Sequence, residues 1–515
     1  MTPWPRRDDE DPAPIVELRR GAAAGPRPPG NVRRAAADIG GSRHFDPPLR
    51  AAALATSARL IPGRGVPLAR HLSVLAECRP PTAPRVWTDV EALTAASCYA
   101  ARARRDALSG GADIVRGNFD GVRLLRPAQL SPAARSQLYA AVGEYCSAAG
   151  RPQMGARFGA EALLFADTPG LRYRALSVVA LARALNGEVH LAETTVDEAS
   201  TLFRENGWDE AEAAYAEMLA RGTIAVVRMD VEGLERVAAR LRSAHGDDAY
   251  ALFSADAFEV GASMFTQDFG TALAAARNLL LSGRRRSSHR MLRYLVVSVM
   301  SDLMIAHGEH LGALDLLRPY ESPEGHGACF AMQRSAALLA LGREQELLAG
   351  TDECVSADLD HCLRTLVPVL ARRAIALLRT GNERGARESM RTALLLVARN
   401  GMSAAPFSML PRTETAALVG DALRLHPELV GTLAPVLQKL DLVTAGDERV
   451  ASPVALTPRE RELAVLLRSR RTTSEIALAR GVSPNTIKSQ LRSIYRKLEV
   501  TTRDEAARRL DEIDV

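Results

Sequence analysis

Between Ser483 and Leu498 the chain reads SPNTIKSQLRSIYRKL. At 3.6-residue periodicity Ile487, Leu491, Ile494 and Leu498 fall on one arc, while Asn485, Lys488, Ser489, Arg492 and Arg496 fall roughly opposite. One face of such a helix packs, and the other is a row of amide, ammonium, hydroxyl and guanidinium donors. An α-helix fits the major groove of DNA, where Lys or Arg can donate to guanine O6 and N7 and a small hydroxyl can serve several bases. Lys488, Ser489 and Arg492 are therefore the candidate base contacts. Thr472, Ser483, Asn485, Thr486, Arg496 and Lys497 sit near helix ends or flanks, where hydroxyls and cations hold phosphates and fix register.

Such a helix needs companions to hold it. Thr457 and Glu460 form a Thr-x-x-Glu capping box, with Pro458 at the first helical position and Leu463, Leu466 and Leu467 as the inward stripe. The same box recurs at Thr472 and Glu475 before Ile476 and Ala477, and at Thr502 and Glu505 before Ala506, Ala507 and Leu510. Gly481-Val482 makes a turn, and Ser483-Pro484 caps and opens the donor-bearing helix, giving helix, tight turn, helix. A lone charged amphipathic helix is usually a solvated face. Three capping boxes, a turn and a polarity that agree over fifty residues argue for more.

Charge follows the same pattern. Residues 457–510 hold thirteen Arg or Lys against six Glu or Asp, so this small unit is more basic than the whole chain at +5. Of only three lysines in the sequence, Lys439, Lys488 and Lys497, two lie on the proposed reading helix.

These residues resemble the LuxR-type (NarL-type) DNA-binding domain of bacterial transcription regulators, over Leu456 to about Ala507. The resemblance implies a four-helix helix-turn-helix domain in which Lys488, Ser489 and Arg492 face bases and the final helix, from about Thr502, makes a dimer contact. It also implies RNA polymerase as a partner. Three positions depart from the family pattern: Arg470 and Glu499 stand where glycines are usual, and Gln490 where histidine is usual. A non-glycine residue in a left-handed helix cap costs about 1 kcal/mol.

The rest of the chain reads as packed helices. Its 515 residues leave room for about three domains, and 47% hydrophobic and 25% charged content is ordinary for a soluble globular protein. Aromatics are only 4%, while Ala and Leu are plentiful, which points to an all-α fold. No apolar run approaches a membrane span, and MTPWPRRDDEDPAP lacks the apolar centre of a signal peptide, so a cytoplasmic protein without membrane contact is expected. Residues 1–50, rich in Pro, Gly, Arg and Ala, read as a disordered leader, and residues 51–130 as a helical segment of open fold.

From residue 131 an apolar helix, a turn and a second helix follow one another repeatedly. The turns fall at Gly150-Arg151, Gly187-Glu188, Met229-Asp230, Gln267-Asp268, Gly308-Glu309, Gly342-Arg343 and Gly381-Asn382, spaced by 37, 42, 38, 41, 34 and 39 residues. Five residues after each comes Gly155, Ala192, Leu234, Ala272, Ala313, Leu347 or Ala386, five of them small enough to let the second helix lie close on the first. A further small residue seven later occurs only as Ala162, Ala199 and Ala393. The pattern resembles degenerate tetratricopeptide (TPR) repeats, with an irregular helical bundle as the alternative. Residues 131–440 are thus expected to form a TPR-like solenoid whose long concave surface binds a protein, peptide or small effector. Residues 441–455 read as a linker, and 456–515 as the DNA-binding domain. Arg284, Arg285 and Arg286 form a basic run in a turn, most simply a solvated one.

Enzymatic chemistry finds no support. There is no G-x-x-x-x-G-K-S/T motif, no lysine before Lys439 to grip a phosphate, no G-x-S-x-G and no His-Glu-x-x-His. The two-part layout is similar to MalT-like and large LuxR-type regulators without their nucleotide-binding module. No cofactor is expected. The six cysteines are scattered without paired spacing, and His361 beside Cys362, with Cys354 eight residues earlier, reads as the one cluster; with no second pair to complete four ligands, no metal site is expected. The reading is a sequence-specific DNA-binding regulator, an activator acting as a homodimer on double-stranded DNA. An interaction scaffold with a non-reading terminal domain is the alternative, and a σ-factor-like reader is disfavoured by the repeat rhythm.

Overall fold

The computed structural model describes residues 47–62, 69–80, 87–108, 111–126, 130–208, 214–244, 248–266, 268–282, 288–356 and 361–443. From the C-terminal region it describes residues 463, 466–467, 472–480, 482–498, 500, 502–503 and 505–506. The leader lies outside the described residues as far as 46, as do the linker from 444 onward and the arginine run at 284–286.

The fold is all-α. Among the described residues four helices come first, α1 (Pro47–Arg59), α2 (Ala69–Glu77), α3 (Asp89–Arg104) and α4 (Gly111–Asn118), followed by two-residue strands β1 (Phe119–Asp120) and β2 (Arg123–Leu124) paired antiparallel. Thr88 and Glu91 close a capping box at the start of α3, and the buried Trp87 indole donates to the Leu125 carbonyl at 2.8 Å. These elements share one apolar core with the hairpin that follows, from Ala53 through Tyr145 and Phe158 to Val178.

Seven helical hairpins then form where the turns were expected. They are α5 (Pro132–Ala148) with α6 (Pro152–Leu164), α7 (Pro169–Asn186) with α8 (Val189–Glu205), and α9 (Tyr215–Arg228) with α10 (Val231–Ala244). Next come α11 (Ala249–Phe265) with α12 (Phe269–Leu281), α13 (Arg290–Ala306) with α14 (His310–Leu317), and α15 (Phe330–Ala340) with α16 (Glu344–Gly350). After the short α17 (Asp352–Ser356), α18 (Leu363–Arg379) pairs with α19 (Glu383–Asn400), and α20 (Arg412–Leu425) and α21 (Leu429–Val443) close the series. Ser131-Pro132 and Thr168-Pro169 start helices as such pairs should, each hydroxyl accepting a backbone N–H of the first turn.

Six of the seven turns share one geometry. At Gly187, φ is +92°, and the next N–H, of Glu188, bonds back to the Arg183 carbonyl at 3.0 Å. This five-back bond within a left-handed cap satisfies a carbonyl that the helix end would leave orphaned. The same bond follows Gly150, Gly308, Gly342 and Gly381, and also Met229, which takes φ +56° without a glycine's freedom. All seven residues placed five after a turn are buried, the two leucines included, and Ala162, Ala199 and Ala393 are fully buried as well. At Gly155 a Cβ would stand 2.1 Å from the Ser147 hydroxyl and 2.9 Å from the Gly143 carbonyl, so only glycine permits this approach of α6 to α5.

The array also touches itself at a constant offset. Gly327 N–H donates to the Gly150 carbonyl at 2.9 Å, and the Cys362 thiol donates to the Leu185 carbonyl at 3.2 Å, each pair 177 residues apart. Ser403 donates to the Val227 carbonyl across 176 residues. Asp106, ahead of the array, pairs with Arg290 at 2.7 Å and Arg293 at 2.6 Å, across 184 and 187 residues. Successive superhelical turns are therefore in contact, with between four and five hairpins per turn. The leading helices are enclosed as a result: in α7, every residue from Tyr173 to Ala182 is buried, which no single helix face could supply. The long open concave surface expected of a solenoid is not what these helices line.

Charge is buried at the junction of α3, α5 and α7. Glu144 lies between Arg104, at 2.8 Å, and Arg174, all three side chains nearly inaccessible. Burial pushes the Glu144 carboxyl up, but the two guanidiniums outweigh it and hold the group down at about 2. Removing one partner of a buried ion cluster typically costs about 3–5 kcal/mol because the remaining charge is left uncompensated. Glu144→Gln is thus expected to destabilise the hairpin array by about 3 kcal/mol, read as a drop in the urea midpoint.

His289, at the start of α13, is buried with neither ring nitrogen hydrogen-bonded, and desolvation drives it from 6.5 down to about 4. Its folded pKa is depressed, so the unfolded chain binds the extra proton first. Its contribution to stability is complete above pH 6.5 and is lost as pH falls through about 4. His289→Phe should flatten the fall in stability across this window by up to about 1.4 kcal/mol per pH unit, measured by urea unfolding at stepped pH.

Candidate nucleic-acid interface

The C-terminal unit has a small core of its own. Leu463 and Leu467 from the first helix pack with Ile476 and Ala477 of α22 (Thr473–Arg480), with Ile487, Leu491 and Ile494 of α23 (Pro484–Leu498), and with Ala506. Leu466, Tyr495 and Val500 cover its edges. Each of these apolar positions named from periodicity lies inward. Leu498 is helical but its side chain is outside the described residues, as are Ala507 and Leu510.

Two of the three capping boxes lie within the described residues, and both are closed. Thr472 N–H and hydroxyl both donate to Glu475 Oε2, at 2.6 and 2.9 Å, and Glu475 N–H donates back to Thr472 Oγ1 at 3.3 Å. Thr502 N–H donates to Glu505 Oε2 at 3.1 Å, and Glu505 N–H to Thr502 Oγ1 at 3.3 Å. The box at Thr457 lies outside the described residues. Between α22 and α23 the Val482 N–H bonds the Ala477 carbonyl at 3.1 Å, the same five-back closure that ends the hairpin helices. Val500 bonds the Tyr495 carbonyl at 3.0 Å in the same way; Arg470 and Glu499 lie outside the described residues, and Gln490 is half-buried at the edge of the packed face.

On the opposite side of α23, Asn485, Lys488, Ser489 and Arg492 are all exposed. Among the described residues none pairs with Lys488 or Arg492, so both charges are available to an incoming anion. Ser489 is differently disposed: its hydroxyl donates to the Thr486 carbonyl at 2.9 Å, leaving its lone pairs outward unless it rotates. The N-terminal end of α23 is a donor cluster. Ser483 Oγ accepts the Thr486 N–H at 3.1 Å and shares a proton with Thr486 Oγ1 at 2.8 Å, so one hydroxyl hydrogen of the pair remains to give. The helix dipole favours an anion there. Thr472 has no such hydrogen, because its own is committed to Glu475. Arg496 and Lys497 belong to α23, but their side chains are outside the described residues.

One positioning residue escaped the sequence reading. Arg503, on the segment after α23, donates from Nε to the Leu467 carbonyl at 3.2 Å and from Nη2 to the Leu466 carbonyl at 3.4 Å, tying the last helix to the end of the first. Nothing in sequence spacing signals a side chain that caps a helix 36 residues away. Hydrogen bonds from charged groups contribute about 1.5–3 kcal/mol, so Arg503→Ala in the full chain should speed amide exchange at residues 463–494 several-fold and leave the hairpin array unchanged.

Residues 454–510 match the family described as bacterial regulatory proteins, luxR family. No curated protein matches the chain. The match spans both described capping boxes, the five-back turn and the whole of α23, and of the four helices that the resemblance implied, α22 and α23 lie within the described residues from end to end. The C-terminal segment of this chain is therefore a luxR-family helix-turn-helix domain.

Proposed function

We propose that the chain is a sequence-specific, DNA-binding transcription regulator that acts in the cytoplasm, as an activator and without enzymatic activity. The carrying observation is α23, whose buried Ile487, Leu491 and Ile494 fix it on the C-terminal core while Lys488, Ser489 and Arg492 stay exposed on the other side. In this reading those three residues meet base edges in the major groove. Ser483, Asn485, Thr486, Arg496 and Lys497 meet phosphates, with Thr472 doing so through rearrangement of its box. No helix among the described residues is long and apolar enough to cross a membrane, which is in keeping with a DNA-bound protein.

A homodimer on two half-sites about one helical turn apart follows from the geometry of such readers. Residues 131–440 are the sensor or interaction domain in this proposal, and the linker begins only after α21 ends at Val443. An effector or protein partner, and RNA polymerase, would act through that array. Because the inner helices are enclosed, an effector must bind an outer face or an arrangement in which the superhelical contacts have shifted. Only a ligand with different affinity for the two arrangements can move the equilibrium.

Mobility-shift titration against a genomic fragment library tests the reading. Selective retention of some fragments over random DNA at physiological salt supports it; uniform weak binding would turn the chain into an interaction scaffold. Lys488→Ala and Arg492→Ala should each cost about 1–3 kcal/mol and relax base preference, whereas Lys497→Ala should weaken all sequences alike and lower the salt slope by about one.

A further inference from the structure

Two pairs of side chains from separate segments meet where the sixth hairpin joins its neighbours. His326 and Cys329 lie on the segment between α14 and α15, Cys354 on α17, and His361 just before α18. One ligand atom from each, two imidazole nitrogens and two sulfurs, all lie within 4.8 Å of one another. Cys329, Cys354 and His361 are buried and His326 is partly so. Cys362, next to His361 in sequence, is not one of the four: its thiol points away, to the Leu185 carbonyl.

The geometry suits one ion. A tetrahedron with bonds of about 2.3 Å to sulfur and about 2.0–2.1 Å to nitrogen has edges of about 3.3–3.8 Å. The two sulfurs stand 3.7 Å apart, at that edge length and far from the roughly 2.0 Å of a disulfide. The nitrogens carry the stronger argument. His361 Nδ1 lies 2.9 Å from the Cys362 carbonyl oxygen, which can only accept, so Nδ1 bears the hydrogen and Nε2 presents a lone pair. That Nε2 is buried without a hydrogen-bond partner, and so is Nδ1 of His326. Two buried ring nitrogens without partners beside a pair of thiols are expensive to leave unmatched. A carbonyl holding the far nitrogen of a ligating imidazole is also how metal sites fix ring orientation.

The sulfurs and the backbone are prepared in the same sense. Cys329 caps α15, its Sγ accepting the Met332 N–H at 3.3 Å, and a helix N-terminus favours the thiolate that a metal requires. His326 takes φ +50°, an uncommon conformation for a side-chain-bearing residue, and is held there by Thr365, whose hydroxyl donates to its carbonyl at 2.7 Å. We propose that His326, Cys329, Cys354 and His361 form a closed Cys2His2 site for a structural zinc ion. Two thiolates and two neutral imidazoles neutralise the dication, and four protein ligands leave no open position for catalysis.

The site stands beside both 177-residue contacts. Gly327, next to His326, bonds the Gly150 turn, and Cys362, next to His361, bonds Leu185 before the Gly187 turn. Zinc therefore clamps together the two segments that reach across to the first and second hairpins, and its removal loosens the register of the superhelix.

The test uses the full chain, purified without chelator from zinc-supplemented cells, with metal measured by inductively coupled plasma mass spectrometry. A stoichiometry of about one zinc per chain is expected. Cys329→Ser and His361→Ala should reduce it several-fold, while Cys362→Ser should retain it. Replacement by cobalt(II) should give the visible absorption of a tetrahedral site together with a thiolate-to-cobalt charge-transfer band, and far-ultraviolet circular dichroism reports whether each variant keeps its helices. Chelation should increase amide exchange at residues 323–329 and around Gly150. Zinc-free protein that takes up no cobalt, cobalt bound without thiolate ligation, undiminished zinc in a folded Cys329→Ser chain, or a Cys329–Cys354 disulfide as the resting state would each overturn the assignment.

Discussion

Most hairpin turns of this chain close on one backbone hydrogen bond, from the N–H just past a helix cap to the carbonyl five residues earlier. It closes six of the seven hairpin turns and recurs at Val482 and Val500 in the terminal domain. The constraint behind it is general: a helix end leaves carbonyls without partners, and a buried end cannot leave them to water. By satisfying one carbonyl while sending the backbone into the left-handed region, the bond also sets the angle at which the next helix departs. The close approach of α6 to α5, the burial of the residue five beyond each turn, and the presentation of α23 on its core all inherit that angle.

This is also why so much was legible in the sequence. A left-handed cap selects glycine, and a capping box selects Thr and Glu three apart, so helix ends leave local marks that periodicity then fills in. All seven hairpin turns lie where Gly-x or its Met229-Asp230 and Gln267-Asp268 equivalents placed them. In the terminal domain the inward positions from Leu463 to Ile494 and Ala506, and the exposed set Asn485, Lys488, Ser489 and Arg492, match their arcs on a 3.6-residue wheel.

What escaped the sequence depends on contacts between segments that no local mark connects. Arg503 reaches the Leu466 and Leu467 carbonyls only because the last helix folds back over the first. His326 and Cys329 carry no metal motif by themselves, and the spacing of His361, Cys362 and Cys354 gave no reason to expect a metal site. Cys362, though adjacent to His361, points away from it, since neighbouring residues entering a helix point in different directions. Residues 51–130 had no repeat rhythm to read, yet their helices share a core with the first hairpin. The enclosure of α7 was likewise invisible, because a helix buried all round and one buried on a single face differ in what surrounds them as much as in what they contain.

An ordinary solenoid couples each repeat only to its neighbours, so it can fray from an end and can gain or lose units with little penalty. The fixed offset linking Gly150 to Gly327, Leu185 to Cys362 and Val227 to Ser403 removes that freedom. Deleting one hairpin would bring the wrong loop opposite every earlier turn at once, as a missing tooth jams a gear. The number of hairpins between these partners is therefore itself a structural parameter, and a disturbance at either rim is felt by both layers together.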